Sequence, residues 1–551
     1  MKKYIIILLA VVFGIVVGFY FSPLLSTDNI YQQIKKIDRV LNIVVKNYLE
    51  PVDTQKLTEA AIKGMLNELD VHSVFISAEE MKRVTEDFQG SFEGIGIEFD
   101  VINDTIVVVS PIPGGPSEAL GIRSGDKIVK IDGEDAIGLS RSEVPKKLRG
   151  PKGTIVKVDI KREGVKDLLQ FSIKRDKIPL NTVDAAFMVD GTDIGVIVVN
   201  RFASTTHEEL VSALEKLTKL GMKKLILDLR GNPGGYLNQA FLMAEEFIKR
   251  GDTIVYTKGR LPEFDEVYVS SGSSPYVNLP LIVLINSGSA SASEIVSGAI
   301  QDLDRGLIVG ETSFGKGLVQ RQYEIGDGSA FRLTIAKYYT PSGRSIQRPY
   351  KDKDKYRHLV GRFELEEGSY IYDGYQKIIQ QVKRINDSTK NAKDRINIDS
   401  LPIYYTRSKR IVFGGGGITP DYIIKSDTIT RMTAEIRREN LFFEYIDKNL
   451  MPEVERIKRT YKDFKDFKKN YSISEQTLND FKDFVQKKGI QVNPKDWETD
   501  KEYISTYLKA QLARVVWTRE QFLEILFTVD NQFKKAIELF PDAIKIAKLK
   551  Q

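Results

Sequence analysis

Two kinds of hydrophobic pattern alternate along the chain and divide it into regions. From 30 to about 88, apolar residues recur at helical spacing: Ile37, Leu41, Val44, Val45 and Tyr48 form one stripe, and Leu57, Ala61, Met65 and Leu69 a second. The segment DVHSVFIS (70–77) interrupts this arm. Between 90 and about 175 the runs shorten and become β-like. Residues 105–109 are a β-branched strand, 116–120 a short helix with proline near its first position, and 127–131 a strand ending at the Asp132-Gly133 turn. Farther on, 194–199, 225–229 and 281–285 are continuous apolar runs of the buried-strand type, and 207–220, 236–250 and 291–303 carry helical periodicity. Strands that alternate with helices predict an α/β core. Beyond about 427 the chain is lysine-rich and helical, with Phe464, Phe467 and Tyr471 spaced as a core stripe. The resulting plan is a leader at 1–26, a helical arm at 27–88, a small β-rich module at 89–176, the core at 177–426 with a charged insertion at about 351–410, and a helical extension at 427–551.

Composition narrows the setting. The leader begins with Lys2 and Lys3 and continues as an uncharged apolar stretch from 4 to 21, the length of a signal peptide and marginally that of a membrane span. Bulky Phe19, Tyr20 and Phe21 stand where a cleavage site would need small residues, which favours an uncleaved signal anchor. The leading lysines keep the N-terminus inside, so the remainder is expected outside the cytoplasm, on the periplasmic side of the cell envelope. Lys+Arg 81 against Asp+Glu 75 leaves +6, too weak a balance to imply a nucleic-acid partner. With no cysteine, disulfides, thiolate zinc sites and a cysteine nucleophile are excluded. Histidine occurs only at 72, 207 and 358; His72 reads as a loop surface residue and His207 as an exposed first-turn residue of a helix.

The candidate chemistry lies in NSGSASASE (286–294) and SFGKGLVQ (313–320). A serine hydroxyl needs a positioned base, and lysine serves as one only where burial disfavours its charged form. Ser291 falls where a buried strand turns into a helix, beside unpaired amides and the positive end of the helix dipole, where an oxyanion would be stabilised. Lys316 lies between Gly315 and Gly317 and shares a strand face with Gln320, whose amide could hold the amine. A plainer reading exists for Ser291: with Glu294 it fits the S-x-x-E capping box. The stretch GETSFGKG (310–317) nearly matches a phosphate-binding loop, but Gly317 replaces the metal-binding hydroxyl and a strand follows instead of a helix. Neither a nucleotide, a metal nor another cofactor is called for.

Together with LDLRGNPGG (227–235), these two blocks resemble, in order and spacing, the three signature blocks of the C-terminal processing, or tail-specific, serine peptidases, with a similarity running from about 41 to 424. That resemblance implies a peptidase core related to the crotonase and ATP-dependent serine protease folds. It implies Ser291 as nucleophile, Lys316 as general base, Gln320 as the group orienting the lysine, and an oxyanion hole from the amides of Ala292 and Gly235, with Gly234 the neighbouring option. Closing elements of such a core are matched by SGRSIQ (342–347) and GGGGITPD (414–421).

The β-rich module, with GIGI (94–97) and PGGPSEALGIRSGDKIVKIDG (113–133), resembles a PDZ domain. Such modules add a peptide to a sheet edge and capture its free carboxylate with loop amides. Here Gly94, Ile95, Gly96 and Ile97 would do so, with Ile95 and Ile97 favouring an apolar C-terminal residue. Arg149, in LRGPKGT (148–154), matches the region that links docking to the protease site in that family, and otherwise reads as a solvated turn charge. In the family the N-terminal arm helps pair two subunits, so a homodimer is implied; the extension is open to subunit pairing or adaptor binding. Two other readings stay open: a catalytically silent PDZ scaffold that binds C-termini without cutting them, and a crotonase-type acyl-CoA enzyme, which the PDZ-like insertion disfavours.

Overall fold

The computed structural model describes residues 30–162, 164–348, 368, 370, 383, 387 and 403–549. The leader at 1–26, His358 and most of the charged insertion lie outside the described residues. The chain divides into two units, 1–75 with 331–333, and 76–330 with 334–551.

In the first unit the single helical pattern resolves into helices Ile30–Asn47 and Thr54–Asn67, and a further helix, Ala78–Gln89, belongs to the second unit. Local capping makes the breaks. Asp53 accepts from the Lys56 amide at the start of one helix, and the Asp70 carboxylate gathers the His72 and Ser73 amides in the turn. Helix Ile30–Asn47 buries none of its residues, and its stripe leaves Ile37 and Tyr48 52% and 64% exposed. Among the described residues no helix is long and apolar enough to cross a membrane.

The second unit is built on a six-stranded sheet in the order Val183–Met188, Ile194–Val199, Lys224–Asp228, Leu281–Ile285, Leu307–Gly310, Tyr422–Ile423. The first pair is antiparallel and the rest are parallel. Both faces must be covered, because continuous apolar strands such as LIVLI have no polar side. One face packs on helices Thr206–Lys219, Leu237–Glu245 and Ala292–Asp302. The other is covered by the C-terminal extension, through Phe527, Phe533, Leu539 and Phe540. The boundary expected at 427 therefore separates sequence regions but not cores. Tyr422–Ile423, after the glycine run, adds the last parallel strand.

The inserted module is a sheet in the order Ile97–Ile102, Thr105–Pro111, Lys127–Ile131, Ile155–Lys161, Leu169–Lys174, which leaves Ile97–Ile102 as an edge strand. Period-two alternation gives the sheet two different faces. Ile106 and Val108 point into the module's own core, whereas Ile102, Val107 and Val109 pack on Phe443, Ile446 and Val454 of the extension. The aromatic stripe read from the sequence is in that second core, with Phe467 and Tyr471 buried.

Two expectations are corrected. The helix expected to run to 250 ends at Glu245, where the bonding tightens: the Phe247 amide turns back to Ala244 O at 3.0 Å, and the next carbonyls, Phe247 O and Ile248 O, accept from Arg305 Nε at 2.5 Å and Ser270 Oγ at 2.8 Å. The described end of the charged insertion packs against the core. Strands Ile403–Tyr405 and Ile411–Phe413 form a hairpin, and Arg410 is paired with Asp304 at 2.7 Å and Asp421 at 2.5 Å. His207 is half-buried rather than exposed, its Nε2 2.8 Å from Glu246 Oε1.

Candidate active site

The buried strand Leu281–Ile285 delivers the chain into the turn 286–291, and helix Ala292–Asp302 follows. Ser291 caps that helix at φ 53°, ψ −109°, a left-handed conformation for a non-glycine residue. Such strain costs on the order of 1–3 kcal/mol and has to be held in place by its surroundings. Three buried groups hold it. Asn232, from the LDLRGNPGG block, accepts at its backbone carbonyl from the Ala290 amide at 3.0 Å and from Ser293 Oγ at 2.9 Å, while its side chain bonds Val199 O and the Gly234 amide, each at 2.9 Å. Tyr338 Oη donates to Lys316 O at 2.6 Å and approaches Ser291 O at 3.1 Å. Burial, with the neighbouring Glu294 carboxylate, pushes this phenol well above its ordinary range, so it stays a donor.

Glu294 is the third. Its fully buried carboxylate accepts from the Ser291 amide at 2.8 Å, the Gly315 amide at 2.7 Å, the Lys316 amide at 2.9 Å and Ser313 Oγ at 2.5 Å. Burial raises its pKa, and those four hydrogen bonds work against the rise. The capping-box reading saw only the bond to the Ser291 amide. In the fold the same carboxylate ties the serine turn to the lysine loop. Beyond that loop, strand Leu318–Glu324 carries Gln320, whose Oε1 accepts from Lys316 Nζ at 2.6 Å.

The glycine pair lies against this turn. A side chain at Gly234 would come within 2.9 Å of Ser291 Cβ and of the Ala292 amide; one at Gly235 would strike Phe202 O at 1.9 Å. The Gly234 amide is spent on Asn232, whereas among the described residues neither the Gly235 nor the Ala292 amide donates to a protein acceptor. Asn232 and Tyr338 were visible in the sequence but nothing local distinguished them, and Glu294 stood out only as the partner of Ser291 in a capping box.

In the inserted module, Gly94 ends a strand paired with Asp176–Pro179, and Gly96 is left-handed at φ 73°. Ile95 and Ile97 are core residues, 2% and 9% exposed, packed within the module's own cluster. Arg149 pairs with Glu86 on helix Ala78–Gln89 and lies over the Phe92 ring at 4.3 Å, so it is not a solvated turn charge. Two residues beyond Glu86, Phe88 packs on Tyr236, next to Gly235, with ring centroids 4.7 Å apart. Among the described residues no cluster of acidic residues and histidines could hold a metal ion.

An α/β core with a strained serine at a helix start, a lysine loop tied to it and an inserted PDZ domain defines a serine peptidase. Four family models match in chain order: the activating protease CtpB N-terminal domain at 24–80, a PDZ domain at 94–174, peptidase family S41 at 193–354, and a family of unknown function at 432–518. A carboxy-terminal-processing protease of Bartonella bacilliformis is 41% identical over 326 residues, covering 58% of this chain and 74% of that relative. The carboxy-terminal processing protease CtpA of Bacillus subtilis is 38% identical over 314 residues, covering 57% of this chain and 66% of the relative. A solved photosystem II D1 C-terminal processing protease is 31% identical across 57% of this chain and 88% of that one, with a TM-score of 0.32. The chain belongs to the carboxy-terminal processing proteases.

Proposed function

We propose that the protein is an endopeptidase that reads the free C-terminus of a protein substrate through its PDZ domain and cleaves nearby with a serine–lysine dyad. Ser291 attacks the scissile carbonyl, Lys316 takes the proton and returns it to the leaving amine, and Gln320 orients the lysine. The amides of Ala292 and Gly235 receive the oxyanion charge. The observation that carries this reading is the Glu294 carboxylate shared between the Ser291 and Lys316 amides, because it binds two distant sequence blocks into one site. The two unengaged amides support it.

Tail capture falls to the loop Gly94, Ile95, Gly96 and Ile97. Among the described residues the amides of Ile95 and Gly96 have no protein acceptor, so both are left to receive a substrate carboxylate. Arg149 couples this loop to the peptidase site through Glu86 and the Phe88–Tyr236 contact. The exposed stripe of Ile30–Asn47 pairs two copies, and the leader anchors the enzyme on the outer side of a membrane. Mass measurement in solution and membrane fractionation test these last two points.

The deciding experiment follows cleavage of an unstructured protein with a free apolar C-terminus by the full chain, Ser291→Ala and Lys316→Ala. Both variants should fold and lose activity by on the order of a thousandfold or more. Because the lysine must be neutral, the rate should fall in acid, and a rate flat well below neutral pH would sink the lysine base. Tail binding without cleavage in every form would instead mark a silent scaffold.

A further inference from the structure

The C-terminal extension reaches the active site. Arg230 stands at the start of the loop that leads to Gly235, its guanidinium held on one side by Asp228 of the preceding strand, with Nη2 2.6 Å from Oδ2. The other side is held by the extension. Arg230 Nη1 is 2.7 Å from Asp530 Oδ2 and 2.8 Å from Gln532 Oε1, and the guanidinium lies over the Phe527 ring at 5.6 Å. Gln532 is fully buried and locked in turn, its Nε2 donating to Ile424 O at 2.8 Å. Asp530 caps helix Asn531–Glu538 by accepting from the Phe533 amide at 2.8 Å, so its second oxygen is aimed at Arg230 by a rigid element.

The residues directly after Arg230 belong to the site itself. The Gly231 amide donates to Asn286 Oδ1 at 2.8 Å, and that oxygen also accepts from the Gly288 amide at 3.0 Å. Next comes Asn232, which holds Ala290, Ser293 and Gly234. A buried guanidinium keeps one orientation only while all its partners are present, and a loop displaced by about 1 Å can cost on the order of a hundredfold in rate.

The geometry points to Asp530 and Gln532 as positioning residues for the oxyanion loop, acting through Arg230, so that the C-terminal extension completes the peptidase site. This inference rests on the proposed reading of Gly235 and Ala292 as the oxyanion donors.

The test uses the full chain and the unstructured substrate with an apolar C-terminus. Wild-type cleavage that Ser291→Ala abolishes establishes the peptidase reading independently; without it, that reading fails and the clamp falls with it. Given cleavage, Asp530→Asn, which keeps a helix cap, should lower kcat about tenfold with KM within twofold, and Gln532→Leu should do the same to a smaller degree. In an Arg230→Lys background, Asp530→Asn should add almost nothing, because both changes loosen one contact. Glu538→Gln, on the exposed side of the same helix, should leave kcat and KM unchanged. Wild-type kcat in Asp530→Asn, or losses that multiply in the double variant, would overturn the clamp. Should Asp530→Asn fail to fold, the kcat and KM of Gln532→Leu decide the matter alone.

Discussion

Among the described residues the amides of Gly235 and Ala292 in the core, and those of Ile95 and Gly96 in the PDZ domain, donate to no protein acceptor. The two pairs differ in what holds them. Gly235 is exposed and Ala292 is 1% exposed, and the turn they share is fixed by the polar side chains of Asn232, Glu294 and Tyr338. Ile95 and Gly96 are both buried, and Ile95 belongs to the module's apolar core. The contrast teaches that directional hydrogen bonds fix the core turn, whereas apolar packing, which is non-directional, surrounds the PDZ loop.

Removing the rigidity should have the largest effect. Glu294→Gln replaces a carboxylate that accepts four hydrogen bonds with an amide that turns an NH2 toward some of the same donors. Stability should fall by on the order of 3 kcal/mol, read by denaturant unfolding, and kcat by about a hundredfold. If kcat survives, the serine and lysine loops are held by something other than this carboxylate.

The PDZ pair is probed by Gly96→Ala. Its φ of 73° costs an alanine about 1 kcal/mol, and the added carbon would lie 3.0 Å from Ile178 Cδ1. Affinity for a protein with a free C-terminus should drop several-fold as a rise in KM, while kcat holds. A fall in kcat at constant KM would place this loop in catalysis rather than capture.

The smallest effect concerns the His207–Glu246 pair, which joins helix Thr206–Lys219 to the end of the helix that follows Gly235. Burial would raise Glu246, but hydrogen bonds from His207 and Ser274 outweigh it and hold the carboxyl below its ordinary value. A depressed carboxyl contributes stability above its unfolded pKa and loses it as pH falls through the folded one. His207→Ala should therefore lower Tm slightly near neutrality, and the gap from wild type should close as pH falls through the range where Glu246 takes up its proton. A Tm unchanged near neutrality would show that the pair contributes nothing.

Much of the architecture was legible because its signals are local. Apolar runs marked the strands Ile194–Val199 and Leu281–Ile285, and helical spacing marked the helices between them. The order of three motifs pointed to Ser291, Lys316 and Gln320; Lys316 lies in the loop rather than on the strand, and its 2.6 Å bond reaches forward to Gln320 on the strand that follows. Helix ends were less legible. The stop at Glu245 comes with a tightened turn, the Phe247 amide bonding Ala244 O, and the carbonyls beyond it meet Arg305 and Ser270 from elsewhere in the chain.

The sequence by itself determined the strand and helix periods and the family, and singled out Ser291 and Lys316 as candidates, since each signal is written within a few consecutive positions. Only the tertiary structure decided that Glu294 joins two loops rather than merely capping a helix, that Ile95 and Ile97 belong to a core, and that the extension covers a sheet face and reaches Arg230. The physical reason is the same in each case. A buried carboxylate or guanidinium must find partners wherever the fold brings them, and Asp530 comes from 300 positions farther along the chain than Arg230.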